Sequence, residues 1–290
     1  MHKKVVLVTG ASEGGIGYAV SKEFDRQGCV VYASARRLEA LASLPPSVHR
    51  LELDVLRLDS CQAAVERVLA EQGRIDILIN NAGAGGTGAL LDANAELDGA
   101  AHNTFEVNFW APLRLSKLIV PHMAKQRSGL IINVGSIVGN VTTPWIGIYS
   151  ASKAALHSAT ETLRMEVQGF GIQVMLLAPG AITSQFGRKQ LETFKLPDDS
   201  LYKSVVDKIE ERANMSQEPH HSLPASKLAE RVVARALRPQ PPTFFTTGGK
   251  AFLFFIFERL PRKLIWWLLS RRMGANLVGQ PRAQPKDKQT

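Results

Sequence analysis

Short apolar runs alternate along this chain with longer stretches in which apolar side chains recur every three or four positions. The short runs are Val5–Val8, Val30–Ala33, Leu51–Leu53, Ile75–Ile79, Gly129–Val134 and Gln173–Leu177, rich in β-branched and aliphatic residues. The helical spacing is carried by Tyr18–Gln27, Ser60–Gln72, Thr104–Lys125 and Ser150–Gly169. Strands without polar alternation are buried on both faces, and strand–helix alternation builds right-handed βαβ units. The pattern therefore predicts an α/β fold, a doubly wound parallel sheet of about six or seven strands with helices on both faces. No internal repeat or low-complexity tract interrupts it.

Two regions break the alternation. Gln185–Pro224 is polar and follows a strand end, where ligands of open α/β sheets bind, so it is expected to act as a lid or as a surface helix pair. The second region follows Pro239-Gln240-Pro241-Pro242, and residues 1–247 are read as one domain with 248–290 as a basic, aromatic tail. With 290 residues a large core is available without staples. Cys29 and Cys61 are too few for a disulfide framework or a zinc site, which points to a reducing compartment. The net charge is +9, of which +6 falls between Ala251 and Thr290. That concentration, with no nucleic-acid motif, argues against a nucleic-acid partner. Met1-His2-Lys3-Lys4 leads into only four apolar residues, too few for a signal peptide. The longest C-terminal apolar runs, Ala251–Phe257 and Leu264–Leu269, fall short of the ~18 residues of a spanning helix.

The first strand runs into Thr9-Gly10-Ala11-Ser12-Glu13-Gly14-Gly15-Ile16-Gly17 and then a helix. Glycines at such a turn let the backbone approach a pyrophosphate, whose charge meets the helix N-terminus. The second strand ends at Arg36 and Arg37, where an acid would select the ribose hydroxyl of NAD. Arginine there suits a 2′-phosphate, so the expected cofactor is NADP(H); the alternative is an ordinary solvated helix start.

Ser136 follows a strand, and Tyr149 and Lys153 stand four apart on one predicted helix face. A phenol of ordinary pKa, about 10, is a poor acid–base at neutral pH, and a nearby cation favours its ionised form. Ser136 could then donate to a substrate carbonyl as charge develops on its oxygen. Taken alone, a Tyr-x-x-x-Lys pair is as readily a surface pair.

Together these pieces resemble the short-chain dehydrogenases/reductases over about residues 4–185. The likeness rests on the glycine turn, Leu53-Asp54-Val55, Asp76-Ile77-Leu78-Ile79-Asn80-Asn81-Ala82-Gly83, Asn108, Ser136, Tyr149, Lys153 and Pro179-Gly180. The resemblance implies a Rossmann-type sheet and a carbonyl oxidoreductase. Ser136 would orient the carbonyl, Tyr149 would be the acid–base, and Lys153 would hold the nicotinamide ribose while lowering the tyrosine pKa. Asn108 would hold a proton-relaying water. Gly10, Ser12, Gly15, Ile16 and Gly17 would cradle the cofactor, Asp54 and Asn81 would meet its adenine and ribose, and Ile182 with Ser184 would flank the nicotinamide amide. Family precedent also implies a dimer or tetramer through the Thr104–Lys125 and Ser150–Gly169 helices. The doubled Gly14-Gly15 departs from the usual turn, and Thr183-Ser184 replaces a single threonine.

The tail interleaves Phe, Trp and Leu with Arg on both sides of Pro261, as suits two short helices in a membrane interface. Packing on the domain core or on another subunit is the alternative, although adjacent Trp266 and Trp267 do not easily face one core. The doubled glycine, the arginine pair and this tail are similar to the fungal acyl-dihydroxyacetone-phosphate reductases. That likeness implies NADPH-dependent reduction of 1-acyl-dihydroxyacetone phosphate to lysophosphatidate at the cytosolic face of the endoplasmic reticulum or on lipid droplets. Reductases of steroid, retinoid or secondary-metabolite ketones share the core and stand as alternatives, as does a non-catalytic NADPH-binding scaffold.

Overall fold

The computed structural model describes residues 2–187, 194–215 and 222–280. Its strands are β1 (Val5–Val8), β2 (Val30–Ala35), β3 (His49–Glu52), β4 (Ile77–Asn80), β5 (Gly129–Val134), β6 (Ile172–Pro179), β7 (Ile182–Thr183), β8 (Leu223–Pro224) and β9 (Phe244–Thr247). Seven of them form one parallel sheet in the order β3-β2-β1-β4-β5-β6-β9, and β7 pairs with β8 alone. The order reverses between β1 and β4, so the crevice above their carboxyl ends is the switch point where ligands of such sheets bind. All six predicted runs are strands in this sheet; Val5–Val8 and Gly129–Val134 match at both ends, and the other four are shifted at one or both. The edge strand β9 has no counterpart among them, because Pro241-Pro242 precede it and its outer residue Phe244 is exposed.

The helices are α1 (Ile16–Arg26), α2 (Leu58–Gln72), α3 (Ala100–Phe105), α4 (Ala111–Gln126), α5 (Gly147–Val167), α6 (Val206–Asn214), α7 (Ala225–Ala236), α8 (Ala251–Phe257) and α9 (Arg262–Arg272). Alternate side chains of one strand supply both cores, as the pleat requires. Val6 and Val8 pack with Phe24 of α1 and Val232 of α7, whereas Val5 and Leu7 pack with Val65 of α2 and Ile119 of α4. The single helix expected over Thr104–Lys125 is instead α3 and α4 joined by a wider π turn, Glu106–Trp110.

A third apolar cluster lies outside the sheet. Ile137, Val138 and Trp145 meet Val205 and Ile209 from the α6 region, Phe254 of α8, and Ile265 and Leu269 of α9. Two hydrogen bonds reinforce it, Trp145 Nε1 donating to Met273 O at 2.8 Å and Arg262 donating to Asn140 O at 3.3 Å. Pro261 separates α8 from α9 as expected, and each helix buries only one face. Residues 248–280 therefore close over the same body, while Trp266 and Trp267 both turn outward. Of the segment expected to act as a lid, residues 188–193 and 216–221 lie outside the described residues; the β7–β8 pair joins the chain before it to its end, and Ile209 packs into the third cluster.

Candidate active site

The glycine turn leaves β1 at the switch point. Gly10 has φ +66°, and a Cβ there would lie 2.7 Å from Ala82 Cα, so no other residue fits without moving the chain after β4. A Cβ at Gly17 would lie 2.5 Å from Asn81 Nδ2. Asn81 spends its amide donors on Thr9 O (2.8 Å) and Gly10 O (2.9 Å), fastening the turn rather than reaching outward. The extra glycine, Gly14, has φ +71° and accepts from Gln185 N at 3.1 Å, which ties the turn to the segment after β7. Ser12 O accepts from Gly15 N at 3.1 Å. Gly15 is the N-cap of α1, and no side chain caps it, so Ile16 and Gly17 open a helix whose first turn is available to an anion.

Arg36 and Arg37 end β2 exposed, and neither pairs with a carboxylate among the described residues. Asp54, after β3, accepts from Leu56 N at 3.1 Å through one carboxylate oxygen. Ile182 is buried under the crevice, and the hydroxyl of Thr183 is 2.6 Å from that of Ser222, with Ser184 next in line. An uncapped helix N-terminus, a glycine cradle and two unpaired guanidinium groups fit a dinucleotide carrying a ribose phosphate.

Ser136, Tyr149 and Lys153 converge beyond β5, as the spacing predicts. Ser136 is held extended after the strand, its Oγ accepting from Val138 N at 3.4 Å and acting on the Tyr149 phenol. Lys153 is one turn along α5, 4% exposed, with Nζ 5.7 Å from the Tyr149 ring centroid and donating to Val134 O at 2.8 Å. Its other N–H donors have no partner among the described residues, which suits the hydroxyls of a ribose. Burial pushes the Tyr149 phenol up to about 12, opposed by the Ser136 hydrogen bond and by the Arg212 cation. Burial pushes Lys153 down to about 7. The Ser136 hydroxyl and the Arg212 cation favour the phenolate, and Lys153, one turn along and over the ring, is itself driven toward neutrality by burial.

Asn108 sits on the π turn, fully buried. Its amide donates to Ala84 O (2.7 Å) and Ser152 Oγ (2.9 Å), and its Oδ1 accepts from Ala84 N (2.9 Å). The side chain thus ties the segment after β4 to α5, with one acceptor site of Oδ1 remaining.

A second polar chain reaches the site from behind. Ser136 N donates to His157 Nε2 at 3.2 Å, so Nδ1 carries the proton and donates to Asn140 Oδ1 at 2.7 Å. Asn140 Nδ2 in turn donates to Glu258 Oε1, at the end of α8, at 2.6 Å. Gly135 and Gly139 make room for the imidazole, since a Cβ at either would strike it. Burial, and secondarily Lys153, push His157 down to about 4. Between pH 4 and about 6.5 the unfolded chain holds a proton that the folded chain refuses, so stability falls as the pH falls through this window. The loss at pH 4 is on the order of 3 kcal/mol. His157→Gln, which keeps an acceptor for Ser136 N–H, is expected to flatten that slope in thermal melts; an equally steep slope in the variant would exclude His157 as its source.

His157 stands four residues after Lys153 on the same helix, a spacing that could have flagged it. Asn140, Trp145 and Arg212 reach the site only through folding, and nothing in their local sequence marks them.

A doubly wound sheet with a glycine turn after its first strand and a Ser–Tyr–Lys cluster after its fifth defines a dinucleotide-dependent oxidoreductase. The chain belongs, more particularly, to the short chain dehydrogenase family, whose sequence profile matches residues 4–194. Short-chain dehydrogenase PC-15 of Penicillium crustosum is 35% identical over 91% of this chain and 96% of its own length. The NADPH-dependent 1-acyldihydroxyacetone phosphate reductase of Saccharomyces cerevisiae is 32% identical over 94% of this chain and 90% of its own. A crystal structure of a short-chain dehydrogenase from Streptomyces avermitilis superimposes with a TM-score of 0.76 at 27% identity, over 94% of this chain and 97% of that one.

Proposed function

We propose that this protein reduces the ketone of a lipid to a secondary alcohol with NADPH, and that the lipid is 1-acyl-dihydroxyacetone phosphate, the product lysophosphatidate. The observation that carries the reductase reading is the convergence of Ser136, Tyr149 and Lys153 at the carboxyl end of β5. NADPH is favoured by the unpaired Arg36 and Arg37, and the yeast relative is named as NADPH-dependent. The lipid substrate is favoured by that relative's name and by the outer face of α8 and α9.

The bound cofactor supplies the hydride. The chain supplies the rest: Lys153 holds the ribose, Ser136 Oγ donates to the carbonyl oxygen, and Tyr149 delivers its proton there as negative charge develops. Asn108 holds the water that returns a proton toward Lys153. Gly10, Ser12, Gly15, Ile16 and Gly17 receive the pyrophosphate, with Asp54 and Asn81 near the adenosine and Ile182 and Ser184 near the amide. Self-association through the helices α3–α4 and α5 follows the habit of the family.

No helix among the described residues is long and apolar enough to cross a membrane. The proposed attachment is peripheral, at the cytosolic face of the endoplasmic reticulum or on a lipid droplet. Phe252 (76% exposed), Trp266 (56%) and Trp267 (52%) face outward, and Arg259 stacks on Phe255 and Arg271 on Trp267. Such cations contribute up to about 1 kcal/mol each against anionic lipid, while the aromatic rings enter the acyl boundary. Truncating at Gly248 would strip the third core, so the test uses outward residues only. Phe252→Ser/Trp266→Ser/Trp267→Ser is expected to lose co-sedimentation with anionic liposomes while keeping its melting temperature. Undiminished sedimentation would remove this face from the membrane. The substrate itself is tested with a ketone panel that includes 1-acyl-dihydroxyacetone phosphate, which is expected to give the highest kcat/KM.

A further inference from the structure

We infer that Arg212 receives the anionic head group of the substrate, a phosphate monoester, an assignment that rests on the ketone-reductase reading of the same site. Arg212 lies in the last turn of α6, a helix fixed by Val205, Ile209 and Ala213, all buried. Its Nε donates to Thr143 Oγ1 at 3.3 Å, and Thr143 is itself buried in the loop between Ser136 and Tyr149. Tyr149 packs against the apolar cluster that holds Val205 and Ile209, and the guanidinium interacts electrostatically with its phenol.

What singles this side chain out is the lack of a counter-ion among the described residues. No Asp or Glu pairs with Arg212 among the described residues. Its neighbour in sequence, Glu211, is instead taken by Lys208 at 2.6 Å. Burial pushes Arg212 down to about 10, which still leaves it charged at neutral pH. A partly buried cation that engages only Thr143 among the described residues keeps its remaining donors for an anionic ligand. Arginine offers five N–H donors in a planar fork, and Thr143 uses one, so the fork can take a phosphate through two bonds.

The chemistry of the proposed substrate calls for a cation in this place. Its phosphate is joined to the carbonyl carbon through only a methylene and an ester oxygen. A receptor for that phosphate must therefore lie beside the proton donor, and Arg212 is the cation that acts on Tyr149. Arg188 and Lys189, cations of the polar segment Gln185–Pro224, lie outside the described residues.

The test compares octyl phosphate, octanol and glycerol 3-phosphate by calorimetry on the full-length protein with NADPH present. Native protein is expected to bind octyl phosphate about tenfold or more tighter than octanol, the range for charge-assisted hydrogen bonds. Arg212→Met is expected to bring the two within about threefold, and Arg212→Lys to keep part of the gap. Because Arg212 also acts on Tyr149, the ratio of the two ligands is read rather than turnover. Glycerol 3-phosphate should compete with octyl phosphate in native protein and not in Arg212→Met, which separates head-group recognition from recognition of the chain. Equal affinity of native protein for octyl phosphate and octanol, or a ratio unchanged by Arg212→Met, overturns the assignment. If the Arg212-dependent gap is found and no ketone is reduced, the anion site stands and the reductase reading falls. If ketones are reduced but octyl phosphate and octanol bind alike, the reverse holds.

Discussion

Tyr149→Phe is expected to lower ketone reduction by about 10²–10⁴-fold while leaving NADPH affinity within about threefold of native. The phenyl ring keeps its packing against Phe186, 5.8 Å away between centroids, and its place over Lys153, so only the proton donor is lost. Ser136 Oγ still polarises the carbonyl, which accounts for the residual rate. The pH dependence follows from the same group. A phenol near 12 remains protonated across neutral pH, so the donor needed for reduction is fully loaded. Alcohol oxidation needs the phenolate instead and should rise with pH well beyond neutrality. Initial rates in both directions, with the variant and against pH, check both points. Retention of a tenth or more of native turnover would remove Tyr149 from the chemical step.

Replacing Arg36 and Arg37 together with Ser is expected to weaken NADPH by about 10–100-fold and NADH by much less. Hydrogen bonds to charged partners contribute about 1.5–3 kcal/mol, and exposure of both arginines argues for the lower part of that range. The same exposure means that salt should erode the native preference for NADPH. Dissociation constants for both cofactors at low and high ionic strength measure this. Equal affinity of the native protein for NADH and NADPH would contradict the role given to the pair.

The parts of the molecule that were legible in the chain are those written in local periodicity. Val5–Val8 and Gly129–Val134 read as strands because all of their residues but Asn133 are apolar, and burial on both faces is the way to hide them. Tyr149 and Lys153 read as a pair because one helical turn separates them. Phe244–Thr247 escaped because an edge strand after two prolines keeps Phe244 in solvent and shows no buried run. The π turn at Asn108 escaped because the apolar spacing continues through it. Arg212 and the chain His157–Asn140–Glu258 depend on contacts between segments 17 to 118 residues apart, which no window along the sequence samples. The tail was half legible. Its composition left open a membrane interface or packing on the core; the spacing of Ala251 with Phe254 and of Ile265 with Leu269 sets one face on the core and leaves the tryptophans outside.

The most direct test of the account is an assay in which purified full-length protein is given NADPH and 1-acyl-dihydroxyacetone phosphate, with NADPH absorbance and lysophosphatidate followed together. The account predicts that one equivalent of NADPH is consumed for each lysophosphatidate formed, and that Tyr149→Phe abolishes both signals. A native protein that binds NADPH yet consumes none with this ketone, or with any other in a broad panel, would contradict it.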